Sequence, residues 1–264
     1  MALRPVGVTR QAIPAGAMLP AEHSTYSKCS KRETISTCDR TGKERVYFFG
    51  MVVSFLGGEA IKVSFGETTL AFNPISKDSR LKSNKFGADI TFVSINHPDM
   101  NGMDQTKHGE KEPFVISGPG EYEIRGIAVR GFDSSSHYGG EEKRNTIFYA
   151  ELENMHLLYL GALGEKNLPT QVLEAIDDVD VLFVPIGGDG VLSPSDAQEL
   201  AVKLEAKVVV PIHYESGQGA IGNKDALKTF LKEGGQEGVK SAEKLTLKPK
   251  DLIGKSGEII VLSA

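Results

Sequence analysis

The sequence predicts an α/β (α+β) fold arranged as an αββα four-layer sandwich, with two mixed β-sheets face to face and helices on their outer sides. Three observations predict it. The half of the chain that follows residue 50 is a series of short apolar segments punctuated by Gly and Asn-Pro, the signature of strands and tight turns. The second half alternates strand-like and helical segments. At least one of those helices carries clear start signals, which separates it from the strands around it.

Met51–Leu56 reads as a strand ending in the Gly57-Gly58 turn, followed by Glu59–Phe65, where Ile61, Val63 and Phe65 alternate with polar residues. Thr68–Phe72, Ile90–Ser94, Glu121–Arg130, Thr146–Leu152 and His156–Leu160 have the same strand character. Val179–Val184 is apolar throughout and reads as a buried strand. Ser193-Pro194-Ser195-Asp196 then opens a helix with an N-cap serine, proline in the first turn and an acid at the third position. Ala197, Leu200, Ala201 and Leu204 give that helix one apolar face. Lys207–Val210 is a strand, Asn223–Lys232 a helix capped by Asn223 and stopped by Gly234-Gly235, and Leu245–Leu247 and Glu258–Leu262 close the fold.

Residues 1–50 differ in character. They carry eight Lys/Arg and four Asp/Glu, a charge of +4, whereas residues 51–264 carry 22 and 31, a charge of −9. They mix Pro, Ser, Thr, Lys and Arg without periodicity, so they are expected to be a disordered or non-native extension, with Met51 as the natural start of a single domain over 51–264. A metal site on Cys29 and Cys38 is the functional rival, weakened by the lack of a second Cys or His pair. The acidic body argues against nucleic acid, which needs clustered cations. No apolar run is long enough for a membrane helix, and residues 51–264 have no cysteine for a disulfide framework; cytoplasm is the expected compartment.

The histidines carry the chemistry. His97 and Asp99 follow an apolar strand in Ser94-Ile95-Asn96-His97-Pro98-Asp99-Met100-Asn101, His137 lies in a polar loop, and His213 ends the strand in Val208-Val209-Val210-Pro211-Ile212-His213-Tyr214. Side chains at strand ends can converge on one sheet edge, where ligands bind in α/β folds, and His with carboxylate suits zinc or a similar cation. Taken singly, each is also an ordinary loop or capping residue. Gly187-Gly188-Asp189-Gly190 before the Ser193 helix offers either an anion cradle or a plain turn.

From Met51 onward the chain resembles the lactonase-like branch of the metallo-β-lactamase superfamily, which includes ascorbate-6-phosphate lactonases and many bacterial hydrolases. Ser54-Phe55-Leu56-Gly57, Phe72-Asn73-Pro74, Ser94–Asn101, Gly118-Pro119-Gly120-Glu121-Tyr122, Leu160-Gly161-Ala162, Val184-Pro185-Ile186-Gly187-Gly188 and Pro211-Ile212-His213-Tyr214 carry the resemblance, in order. It implies a two-metal hydrolase of lactones, esters or phosphorylated small molecules, with seven ligands. Four are kept, as His97, Asp99, His137 and His213; the other three positions hold Ile95, Met100 and Ala162.

Isoleucine and alanine offer no lone pair, and a thioether is a poor donor to borderline cations. A catalytic zinc needs about three protein ligands and an open position, and nothing here bridges two ions about 3.5–4 Å apart. The expectation is a degenerate site with one zinc or other divalent ion or none, Asp99 being the candidate catalytic base and His108 a replacement ligand in a neighbouring loop. A small molecule is the expected partner, with neither nucleic acid nor membrane, and the oligomeric state is open. Whether the chain is an enzyme or a non-catalytic binding or scaffold protein is left open by the sequence.

Overall fold

The computed structural model of the protein describes residues 34–38, 44–48, 50–110, 112–214 and 221–264. Two mixed sheets form the body. One has six strands: β3 (Met51–Phe55), β4 (Ile61–Phe65), β5 (Thr68–Phe72), β6 (Ile90–Phe92), β7 (Phe114–Ile116) and β14 (Leu245–Leu247), in the order β14-β3-β4-β5-β6-β7. The other has seven: β8 (Gly120–Ile124), β9 (Ile127–Ser136), β10 (Lys143–Leu152), β11 (Met155–Tyr159), β12 (Val181–Pro185), β13 (Val208–Ile212) and β15 (Glu258–Ile259), in the order β15-β13-β12-β11-β10-β9-β8.

A separate antiparallel hairpin pairs β1 (Thr34–Cys38) with β2 (Glu44–Phe48). β-branched and aromatic residues in both segments supply strand propensity, which the reading of residues 1–50 as aperiodic passed over. The rest of that segment, Cys29 included, lies outside the described residues.

Alternation places Met51, Val53 and Phe55 of β3 in the core. β12 and β13 are buried along their whole length, because the six-stranded sheet covers one face and helices the other. The sheets meet through aromatic rings: Phe72 stacks on Phe92 at 4.3 Å and on Tyr159 of the opposite sheet at 4.9 Å. Burying each such side chain is worth about 1.5–3 kcal/mol, so this seam is a main source of stability.

Three short helices, α1 (Thr170–Ala175), α2 (Pro194–Lys203) and α3 (Ala226–Glu233), belong to the second half, with α2 against β12 and α3 against α2. The outer face of the six-stranded sheet is covered by a 3-10 turn (Met103–Thr106) and its flanking loops. Thr106 and Thr91 of β6 share a 2.8 Å hydroxyl contact, and Lys62 of β4 lies over the Phe86 ring at 5.3 Å.

Two expected elements differ. Glu121–Arg130 is a hairpin, β8 and β9, turning at Arg125 (φ 56°) and Gly126 (φ 78°), with Ile124 opposite Ile127. An arginine in the left-handed region is costly, so the turn signal was visible only in the glycine. Asn223 is not the N-cap as expected; its side-chain Oδ1 accepts the Asp225 N–H at 3.2 Å, Asp225 holds the cap position, and α3 begins at Ala226.

Among the described residues no helix is long and apolar enough to cross a membrane. The carboxyl ends of β5, β6, β9, β11, β12 and β13 come to one edge of the sandwich, and the loops leaving them, with the β3–β4 turn, carry the site residues that the structure groups together.

Candidate functional site

His213 leaves β13 at φ 57°. Its N–H donates to the Gly58 carbonyl at 2.7 Å, which ties the end of β13 to the β3–β4 turn. Its ring lies completely buried, with Nδ1 2.6 Å from Glu59 Oε1, and Glu59 is completely buried as well. The other oxygen of Glu59 accepts from Asn73 Nδ2 at 2.8 Å. Asn73 also bonds both the hydroxyl and the backbone of Ser94, and the Tyr159 hydroxyl donates to the Glu59 carbonyl at 2.8 Å. Glu59 is thus held from both sheets. Donation from Nδ1 to the carboxylate leaves Nε2 of a neutral His213 as its lone-pair nitrogen. That nitrogen is buried and has no hydrogen-bond partner among the described residues.

Asp99 is largely buried, and both of its oxygens are engaged. The Tyr138 hydroxyl donates to Oδ2 at 2.7 Å, and the Ser79 hydroxyl donates to Oδ1. His97 Nδ1 accepts the Asp99 N–H at 3.2 Å and lies 3.4 Å from Oδ2. Burial lowers the His97 pKa, with Asp99 opposing and Lys143 reinforcing that shift. Tyr138 is pushed well up, first by burial and then by its bond to the Asp99 carboxylate, so it stays a neutral phenol that donates.

The Tyr138 ring stands edge-on to two imidazoles, at 4.8 Å from His97 and 4.9 Å from His213. It also packs on a small buried cluster formed by Ile95, Met100, Ala162 and Val191. Three of those four are the residues that the family resemblance sets at ligand positions.

His97, Asp99 and His213 are therefore gathered around one side chain. His137 is not among them: it is exposed, its N–H donates to the Gly190 carbonyl at 3.0 Å, and among the described residues its side chain joins none of the other three. His108 is exposed and sits against Gly87 rather than at this edge. Sequence reasoning missed Glu59 and Tyr138. A glutamate directly before an alternating strand was the available signal for the first. Tyr138 is one residue beyond the histidine that drew attention instead.

Two other polar features are closed. His156, Asp178 and Asp180 approach one another, but Lys207 Nζ bridges the two carboxylates at 2.7 and 2.8 Å, so an ammonium already supplies the positive charge. The α2 N-terminus is satisfied internally, since Ser193 Oγ accepts the Asp196 N–H at 3.1 Å and donates to the Asp196 carboxylate. A cleft of about 410 Å³ beside the site is lined by Ser94, Ile95, Asn96, Ser117, Arg144 and Thr146, among others.

Residues 52–213 match the family model of the β-lactamase superfamily domain. The chain belongs to the β-lactamase superfamily. It is 24% identical over 201 residues to a UPF0173 metal-dependent hydrolase of Bacillus licheniformis, covering 63% of this chain and 86% of the relative. A UPF0173 metal-dependent hydrolase of Listeria welshimeri is also 24% identical, over 197 residues, with the same coverage. A structure from Thermotoga maritima, a candidate Zn-dependent hydrolase of the metallo-β-lactamase superfamily, superposes with a TM-score of 0.64 at 26% identity, covering 81% of this chain and 98% of that one. The superfamily fold accounts for the two mixed sheets and for the loop edge at which His97, Asp99 and His213 meet.

Proposed function

We propose that this chain is a non-catalytic member of the superfamily, a small-molecule binding protein that keeps the hydrolase fold without its two-metal centre. The burial of Ile95, Met100 and Ala162 in one apolar cluster under Tyr138 carries this reading. At the positions that would complete and bridge two cations, these residues offer two alkyl groups and a thioether, and they pack on one another and on Tyr138. The donor set does not fit a dinuclear centre. On this reading the ligand belongs to the lactone, ester or phosphorylated small-molecule class that the family resemblance implies, and the cleft beside Ile95 is its seat. The cytoplasm is the proposed compartment, in keeping with a body that has no cysteine after residue 50.

A single divalent ion on Asp99, His213 and His97 is the second reading, favoured by the buried Nε2 of His213, which has no hydrogen-bond partner among the described residues. Elemental analysis of protein purified without chelator, run beside hydrolysis assays on lactones and phosphate esters, separates the two. The non-catalytic reading expects metal far below one equivalent and no metal-dependent turnover. Near-stoichiometric zinc or manganese, lost together with turnover in His97→Ala, would overturn it.

A further inference from the structure

We infer that Tyr138 acts as an internal stopper and cross-brace, a phenol that ties Asp99, His97 and His213 together and keeps a cation from them. This rests on the non-catalytic reading above. Each contact of the side chain answers to it. The hydroxyl donates to Asp99 Oδ2 at 2.7 Å, which leaves that carboxylate no free oxygen, since Ser79 holds the other. The ring edge contacts place the aromatic body against both imidazoles, and one of these, His213, has a buried Nε2 without a hydrogen-bond partner among the described residues. The remaining face packs on Ile95, Met100, Ala162 and Val191, so the apolar residues and the phenol form one unit. A ring seated on alkyl groups, with its one polar atom on a buried carboxylate, satisfies both halves of an amphipathic side chain.

The loop is built to hold Tyr138 there. The His137 N–H donates to the Gly190 carbonyl at 3.0 Å, the Tyr138 N–H to Ser136 Oγ at 3.1 Å, and the Gly140 N–H to the His137 carbonyl at 3.0 Å. Gly190 (φ 94°) has no room for a side chain, because a Cβ there would stand 2.5 Å from the His137 carbonyl carbon. The same pinning leaves the His137 imidazole outside while Tyr138 points inward.

Removing the ring frees one oxygen of Asp99 and exposes His213 Nε2, whose other nitrogen is already braced by Glu59 in the manner of a metal-ligating histidine. The test is Co(II) and Zn(II) binding to the full chain, followed by equilibrium dialysis, visible absorption and thermal shift. Tyr138→Ala and Tyr138→Val should take up about one equivalent of Co(II) with a His and carboxylate spectrum. Saturating metal should raise their melting temperature by about 5–10 °C. The wild type and Tyr138→Phe, which keeps the ring, should show neither effect. Adding Asp99→Asn to Tyr138→Val should abolish binding. Tyr138→Val retains contact with the apolar cluster, so it decides the matter if Tyr138→Ala does not fold.

A wild type free of metal, together with variants that stay free of it, would overturn the stopper and leave the non-catalytic reading standing. A wild type that binds Co(II) through Asp99 would overturn both.

Discussion

His213 Nδ1 lies 2.6 Å from Glu59 Oε1, and neither side chain has any exposed surface. A carboxylate so placed has lost its water and depends on His213 and Asn73 for compensation. Removing one partner from such a pair leaves the other buried and unmatched, at a cost of about 3–5 kcal/mol. His213→Ala should therefore lower the urea midpoint by that equivalent with an unchanged slope. A midpoint within experimental error of wild type would show that Glu59 is solvated in solution.

Restoring the acid expected at position 162 should harm the protein. Ala162 is fully buried beside Ile95 and Met100, and its N–H donates to Asn145 Oδ1 at 3.0 Å. A carboxylate among those alkyl groups has no partner, and Ala162→Asp is expected to cost about 3 kcal/mol or more in metal-free buffer. Chemical denaturation of the two proteins checks this; equal stability would mean that the site is open to water.

Gly187 is a steric requirement of the His213 corner. A Cβ there would meet the His213 carbonyl oxygen at 2.3 Å and its ring Cδ2 at 2.6 Å. Gly187→Ala should therefore destabilise by about 1–3 kcal/mol through overpacking, and it should shift the His213 ring resonances in NMR. Unperturbed resonances would show that the corner has slack.

The start of α2 predicts an acid-side response. The Lys166 ammonium, 2.8 Å from Asp196, and then the Ser193 hydroxyl hold the Asp196 carboxyl below the usual aspartate range. The unfolded chain binds that proton more readily, so the contribution is present above about pH 4 and is lost as pH falls through the depressed folded value. Because the pair is exposed to water, screening keeps its contribution small. Asp196→Asn should flatten the stability profile below about pH 4 and leave it parallel above. A wild-type slope in the variant would assign the effect to other carboxylates.

Most of the architecture could be read from the chain alone because local chemistry specifies it. Period-two alternation in Met51–Phe55 and Ile61–Phe65, the continuous apolar run of Val181–Pro185, and the Ser193-Pro194-Asp196 helix start each report their own environment. Arg125-Gly126 and the helix Thr170–Ala175 were not legible, the first because arginine is a poor resident of a left-handed turn, the second because six residues are too few to show a period.

For the site, the sequence by itself supplied the candidate donors, His97, Asp99, His137 and His213, and the apolar residues Ile95, Met100 and Ala162 at positions that the family resemblance gives to ligands. It could not determine who meets whom. Glu59 and His213 are 154 residues apart, and Tyr138 and Asp99 are 39 apart. Those contacts exist only because parallel and antiparallel strands of two sheets bring six loops to one edge, and because buried polar atoms must find partners wherever the fold supplies them. Only the tertiary structure decided that Glu59 braces His213, that Tyr138 rather than His137 points inward, and that Ile95, Met100 and Ala162 pack together against its ring.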